Sequence, residues 1–535
     1  MKRRDLLKIV GTGMASGVAP GSAGGLQAPP TANSGRAGQT ADWLNVRQFG
    51  ARGDGAAIDS PAINRAINAA AEAGGGTVLF PAGVYLSYSI RLKSKVGLFL
   101  DHGAVILAGP TPLDGTTTGG YDAAEAQGDW EGYQDYGHNH WHNSLLWGED
   151  LDGVSITGPG LIWGKGLSRG WKGEPGRPDT TKTGVGNKTI GLKNCRNILL
   201  RDFKILEGGW FGILATGVDN LTIDNLTIDT NRDGIDIDCC RNVRVSNCAV
   251  NSPWDDGICP KSSFALGYPR ATENLTITNC YVTGGFVLGS LLDGTRKPIT
   301  GLTDPPTGRI KLGTESNGGF RNVTISNCVF ESCEGFALET EDGALVEDIV
   351  FTGITMRDIR SAPLFLRLGS RMRGPRDAKP GVLRRVILSN ITSSGASQLP
   401  SSLTGVPGHP IEDIRICDVF LEQVGGGTEE MAALQPEERA QAYPDPKMFG
   451  DLPATGFFVR HARNLEMSNV EIAIRASDSR PAFWLQDVVG ADFFRVRVPQ
   501  GAAPTFDLRQ VKEFRSFGSR QLADLAIDSV DERKV

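Results

Sequence analysis

A short unit recurs along this chain in a constant phase, and that phase limits what the chain can fold into. Good copies are Asn220-Leu221-Thr222-Ile223-Asp224-Asn225-Leu226-Thr227-Ile228 and Asn242-Val243-Arg244-Val245-Ser246-Asn247-Cys248. Further copies open at Asn197, Asn274, Asn322, Asp348, Asp413 and Asn464. Each alternates apolar and polar residues over four to six positions, which is a strand with one buried face. Asn197 and Asn220 stand 23 residues apart and Asn220 and Asn242 stand 22 apart. A repeat of that length holding two or three strands is one coil of a parallel β-helix. Asn suits the recurrent turn because it tolerates the left-handed conformation, and its amide is free to bond the backbone of the neighbouring coil. A β-sandwich with Asn-rich turns would explain the alternation but not the phase. Glycine is 69 of 535 residues without a Gly-X-Y period, which fits an all-β solenoid and excludes collagen.

The expected organisation is a targeting segment over 1–32, a linker over 33–42, the β-helix over 43–505 and a cap or tail over 506–535. Arg3 and Arg4, the following leucines and a weak apolar stretch resemble a twin-arginine signal. This implies the Tat export machinery as a partner and a periplasmic or secreted protein. No later run is apolar enough for a transmembrane helix. A helix from about Ser60 to Ala73, with Ile63 and Ile67 four apart, is expected to cover the open first edge. Long insertions are expected at about 106–147, 165–186, 283–307, 370–382, 395–409 and 420–455. The net charge of −6 and the lack of a basic tract after residue 8 argue against nucleic acid as a partner. All nine cysteines lie between Cys195 and Cys417, where disulfides and a ladder of packed thiols are equally open.

The candidate chemistry lies in Asn231-Arg232-Asp233-Gly234-Ile235-Asp236 and Trp254-Asp255-Asp256-Gly257-Ile258. Asp233 and Asp255 are 22 residues apart, one coil, so both fall on one face about 4.8 Å apart in rise. Uncompensated carboxylates that close raise the pKa of one of them. Glycoside hydrolysis needs that division between an acid and a second carboxylate. Asp236, three residues on, is expected to face the other way and to be structural. The first insertion carries Trp130, Tyr133, Tyr136, Trp141 and Trp147, with His138, His140 and His142 among them. Trp130 and His140 suit the lining of a sugar site. No carboxylate pattern beside the histidines completes a metal motif, so neither metal nor cofactor is expected.

These motifs, with Asn45–Gly55 and Gly74–Tyr85, resemble the polygalacturonase-like family 28 of glycoside hydrolases over roughly residues 43–490. The resemblance implies a right-handed parallel β-helix, an inverting single displacement and no metal. It implies Asp255 as general acid, Asp233 and Asp256 as activators of the attacking water, and Lys261 as a subsite contact. The chain departs from the family in three places. Arg232 replaces a threonine, Thr307 stands where the family has a histidine, and the family's Arg-x-Lys has two matches. One is Arg309-Ile310-Lys311. The other, Ala337-Leu338-Glu339, keeps the family spacing better and is the preferred register; Glu339 there would repel a uronate. Trp254 and Arg232 complete the expected substrate contacts. The leading expectation is an inverting hydrolase of a plant or microbial polysaccharide or oligosaccharide. Exo action is favoured because long loops would close one end of the cleft, and unmodified polygalacturonate is expected to be a poor substrate. A polysaccharide lyase and a non-catalytic carbohydrate-binding β-helix are the competing classes.

Overall fold

The computed structural model describes residues 43–111, 120–126, 128–170, 179–302, 304–499, 501, 503–520 and 522–535. The expected targeting segment 1–32 and linker 33–42 lie outside the described residues. From Trp43 onward the chain is an all-β solenoid whose strands pair in parallel with the coil before and the coil after. Among the described residues no helix is long and apolar enough to cross a membrane.

The helix Ser60–Glu72 buries Ala62, Ile63, Ala66, Ile67 and Ala70 on one face. The 3.6-residue period puts these on one stripe, which packs on the strands Leu44–Asn45 and Gly76–Phe80 at the first end. Inside the solenoid the apolar position of each strand stacks on that of the next. Ile198, Leu221, Val243, Leu275 and Val323 form one such row, all with 2 % exposure or less.

The asparagine anchors Asn197, Asn220, Asn242, Asn274 and Asn322 all have φ between 53° and 57°. Their amides bond the side chain of the preceding anchor and not its backbone: Asn220 to Asn197 at 3.1 Å, Asn274 to Asn242 at 3.1 Å and Asn322 to Asn274 at 3.1 Å. Asn197 in turn donates to the Asp152 carboxylate at 2.7 Å, so the ladder runs through side chains. All nine cysteines are free thiols, eight of them buried.

Two boundaries differ from expectation. Residues 395–409 are not a plain insertion, because Ser401–Thr404 is a ladder strand between Leu364–Leu368 and Phe457–Ala476. The parallel ladder also continues past residue 505 through Phe506–Phe517. The last strand, Leu525–Lys534, then runs antiparallel along it, a reversal that closes the final edge to further parallel addition.

Candidate active site

One face of the solenoid is built from Phe211–Thr216, Asp233–Asp238, Ile258–Lys261, Lys311–Leu312, Phe336–Thr340 and Leu364–Leu368. Ile235 and Ile237 point into the core. The alternation turns Asp236 and Asp238 outward. Asp236 is opposite Cys259, and Asp238 is opposite Lys261. Asp233 opens its strand directly after the bend at 231–232, so its side chain is not bound by the alternation. It comes to the same side as Asp236, with carboxylate oxygens within 4.8 Å. The expectation that Asp236 faces away is therefore corrected.

The three expected carboxyls meet. Asp233, Asp255 and Asp256 each bring an oxygen within 4.8 Å of the other two. The backbone N–H of Asp256 donates to Asp233 at 3.2 Å and to Asp255 at 3.0 Å. The oxygens are thus closer than the roughly 6.5–9.5 Å between acid and base that inversion ordinarily uses. The reason is local: successive coils bring Asp233 under the consecutive pair Asp255 and Asp256, and one amide joins them.

Their electrostatic settings differ sharply. Asp233 is pushed well above the usual carboxylate range, first by burial and then by the charges of Asp236 and Asp255. Asp236 is raised in the same way by burial. Burial would also raise Asp255, but Arg232 outweighs it and holds the carboxyl low, at 2.7 Å. Burial of Asp256 is outweighed by Lys311 at 2.7 Å and Arg309 at 3.0 Å, and its carboxyl lies far below the usual range. Asp255 keeps about 25 % side-chain exposure while Asp256 has 1 %, so Asp255 is the carboxyl turned toward the cleft. Arg232 also lies 4.9 Å over the Trp210 ring.

The register of the cations differs from expectation. Ile310 pairs with Ile258, so Arg309-Ile310-Lys311 occupies the coil directly after the aspartate pair. Ala337 pairs with Lys311, which puts Ala337-Leu338-Glu339 one coil further. The insertion between residues 283 and 309 lengthens the intervening chain without adding a coil to this face, and sequence spacing misleads for that reason. Arg309 also pairs with Glu334 at 2.8 Å. Glu339 is fully buried, neither of its oxygens has a hydrogen-bond partner, and burial pushes its carboxyl up to about 7.

The remaining expected contacts separate. Lys261 is buried between Glu315 at 3.2 Å and Asp236 at 3.5 Å, and is not open as a subsite. Trp254 is 44 % exposed beside Asp255, with the Arg169 guanidinium 5.0 Å from its ring. His140 is buried against Tyr136, whose carbonyl it meets at 2.8 Å, and Trp130 packs over Gly267. Both shape the insertion, and no contact brings either to the carboxyls. His138 was not singled out, yet it reaches the cluster: a ring nitrogen lies within 4.8 Å of oxygens of Asp233 and Asp236, and 4.0 Å from Glu315. Its alternation with His140 and His142 was the available signal. Tyr443, whose hydroxyl meets Thr314 at 3.1 Å from the insertion after Gly425, had none.

A parallel solenoid with three carboxyls gathered on one ladder is the setting in which the chain's likenesses fall: parts of it match models of the pectate-lyase-like β-helix proteins. Its longer likenesses are to polygalacturonases, at modest identity. Residues 43–115 match the family model "Rhamnogalacturonase A/epimerase, pectate lyase-like", and residues 179–303 match "Right handed beta helix region". A "Probable polygalacturonase" of Vitis vinifera is 27 % identical over 400 residues, covering 70 % of this chain and 73 % of the relative. The exopolygalacturonase structure from Thermotoga maritima aligns with a TM-score of 0.58 at 21 % identity, covering 80 % of this chain and 91 % of that one. The family 28 exopolygalacturonase of Yersinia enterocolitica aligns with a TM-score of 0.59 at 18 % identity, over 84 % and 78 %. These two likenesses speak to the fold.

Proposed function

We propose that this protein is a glycoside hydrolase that cleaves a plant or microbial polysaccharide or oligosaccharide with Asp233, Asp255 and Asp256 as its reacting carboxyls, and that it does so by inversion, as the family resemblance implies, once the entering sugar and water spread carboxyls whose nearest oxygens stand within 4.8 Å. The observation that carries this reading is the split within one cluster: burial and neighbouring carboxylates raise Asp233, while Arg232, Arg309 and Lys311 in contact lower Asp255 and Asp256. Neighbouring carboxyls pushed apart in this way are the requirement of acid–base chemistry on a glycosidic bond.

The half-exposed Asp255 is the group that meets the leaving oxygen. In the free protein Arg232 lowers its proton affinity, so on this reading its proton comes from the raised Asp233. Substrate entering beside Trp254 draws Arg232 away, and the proton passes from Asp233 to Asp255. Asp255 then protonates the glycosidic oxygen as that bond breaks. Asp233, now ionised, takes a proton from the water whose oxygen attacks the anomeric carbon, while Asp256 orients that water. The cycle ends with the proton back on Asp233 and Asp255 ionised. Arg309, Lys311 and Arg232 already offset the charge of Asp255 and Asp256, which disfavours a Ca²⁺-dependent lyase at this cluster.

Arg309 and Lys311 are committed to Asp256 and Glu334, and Glu339 lies one coil beyond. Unmodified polygalacturonate is therefore a poorer substrate than a neutral or decorated glycan. His138 and Tyr443 come from two separate insertions to the same coils, which supports a cleft closed at one end and exo action. The Arg3-Arg4 start supports Tat export to the periplasm or the exterior. The test is a glycan screen with reducing-end detection, followed by NMR of the first product before mutarotation. Release of sugar with inverted configuration is expected. No turnover on any glycan would favour a binding protein, and a retained anomer would overturn the single displacement.

A further inference from the structure

We propose that His142, Glu125 and Glu149 form a binding site for one divalent transition cation of the zinc type, separate from the reacting carboxyls. The three histidines of the first insertion diverge: His138 goes to Glu315 and the reacting cluster, His140 to the Tyr136 carbonyl and Glu131, and His142 meets two carboxylates, each within 3.5 Å. Its Nε2 stands 2.9 Å from Glu149 Oε2 and 3.5 Å from Glu125 Oε1. One donor atom from each of the three residues lies within 4.8 Å of the others. A cation with bonds of about 2.0–2.1 Å to nitrogen and oxygen sets neighbouring tetrahedral ligands about 3.3 Å apart. The two imidazole distances bracket that value.

Each donor is held in place by a group that does not compete for the cation. The Glu125 carboxylate accepts the backbone N–H of Trp141 at 2.9 Å and of His142 at 3.3 Å. The His142 ring lies on Trp147, centroids 3.9 Å apart. Lys193, opposite Glu149 in the ladder, takes the other oxygen, Oε1, at 2.8 Å and leaves Oε2 to face the imidazole. Such outer partners orient ligands at metal sites. Side-chain exposures of 26 %, 16 % and 26 % leave an entry path and room for water as a fourth ligand.

Charge separates this cluster from the reacting one. Two carboxylates face one lysine here, and that lysine takes the Glu149 oxygen turned away from the imidazole. Around Asp233, Asp255 and Asp256 three cations, Arg232, Arg309 and Lys311, already stand in contact. A cation therefore goes to His142. Its ligands join the ladder strand Ser144–Glu149 to the insertion that carries His138 to Asp233 and Asp236, so metal pins that insertion over the reaction centre.

The test uses the untagged full chain, stripped with a chelator and titrated with Zn²⁺, read by calorimetry, bound-metal analysis and tryptophan fluorescence. One equivalent is expected, with a fluorescence change from Trp147. His142→Gln and Glu125→Gln should each lose the equivalent while keeping the wild-type far-ultraviolet circular dichroism, and Asp256→Asn should keep it. Co²⁺ should give visible bands that His142→Gln lacks. Stripped protein that takes up no stoichiometric zinc would show an ion-pair cluster only and overturn the site. So would zinc retained in both the His142→Gln and Glu125→Gln variants, or lost only in Asp256→Asn. None of these readouts depends on the glycan reaction.

Discussion

The coils between Asp233 and Asp342 and the coils between Asp348 and Arg515 share one ladder and one repeat, yet the ion pairs around Asp256 and those at Arg385 and Arg515 treat charge in opposite ways. In the later coils Arg385 meets Asp348 at 2.7 Å and Arg515 meets Asp492 at 2.7 Å, with exposures of 37–63 %. In the earlier coils Arg309, Asp256, Lys311 and Glu334 pair at 2.7–3.0 Å with 6 % exposure or less. Contact distance is the same; what differs is cover. Insertions from residues 120–143, 283–309 and 427–456 reach the earlier coils, and the later ladder lies open along a groove of about 920 Å³ lined by Asp348, Arg385, Asp413, Arg415 and Arg515. That groove is lined by none of Asp233, Asp255 and Asp256. Water screens pairs of this exposed kind until they contribute little. Desolvation turns the same residue types into carboxyls with divergent proton affinities. Cover over the ladder, and not contact distance, is what separates the two sets of charges.

The largest expected effect breaks the covered region directly. Asp255→Asn should lower turnover by on the order of 10²–10⁴, the scale of proton-transfer catalysis. Binding should be largely kept, and the loss should shrink on substrates whose leaving group needs no proton. Asp233→Asn should show no such rescue. Steady-state kinetics on a glycan and on an activated aryl glycoside check both, and full activity in Asp255→Asn would remove it from the mechanism.

A second change sharpens the comparison by uncovering one charge. Arg232→Ala leaves burial and Asp256 to raise Asp255, without the guanidinium that holds it down. Arg232 acts on Asp233 as well as Asp255, so the proton that the two share is kept to higher pH and the alkaline limb of kcat/KM should move upward. An unchanged or downward limb would mean that Asp255 does not donate the proton.

The third effect is on stability. Glu339 has a folded pKa of about 7, above its ordinary value. A carboxyl raised on folding favours the folded state fully below its unfolded pKa, and that contribution is lost as pH rises through the folded value. The wild type should therefore lose stability as pH rises from 4.5 to about 7, on the order of 3 kcal/mol from this group. Glu339→Gln should flatten that slope of Tm against pH. Parallel slopes in the two proteins would place the titration elsewhere.

The smallest effect lies in the open ladder. Arg515→Ala removes a pair exposed to water on both sides, and the melting temperature should stay within experimental error at moderate salt. A large drop would erase the distinction between the two regions.

Local chemistry determined the repeat. An asparagine that accepts φ near 55°, followed by alternating apolar residues, writes each coil into the chain, and one-coil spacing is enough to bring Asp233 and Asp255 together. Neither depends on anything beyond about thirty residues. Tertiary structure alone decided how the carboxyls are charged. Arg309 and Lys311 reach Asp256 across an insertion of arbitrary length, and the ladder register, not the residue count, sets which coil they occupy. His138 arrives from nearly a hundred residues upstream, and Asp236 turns to the same side because a bend precedes Asp233. Proton affinity is a property of burial and neighbours, and both are fixed only when distant loops close over the ladder.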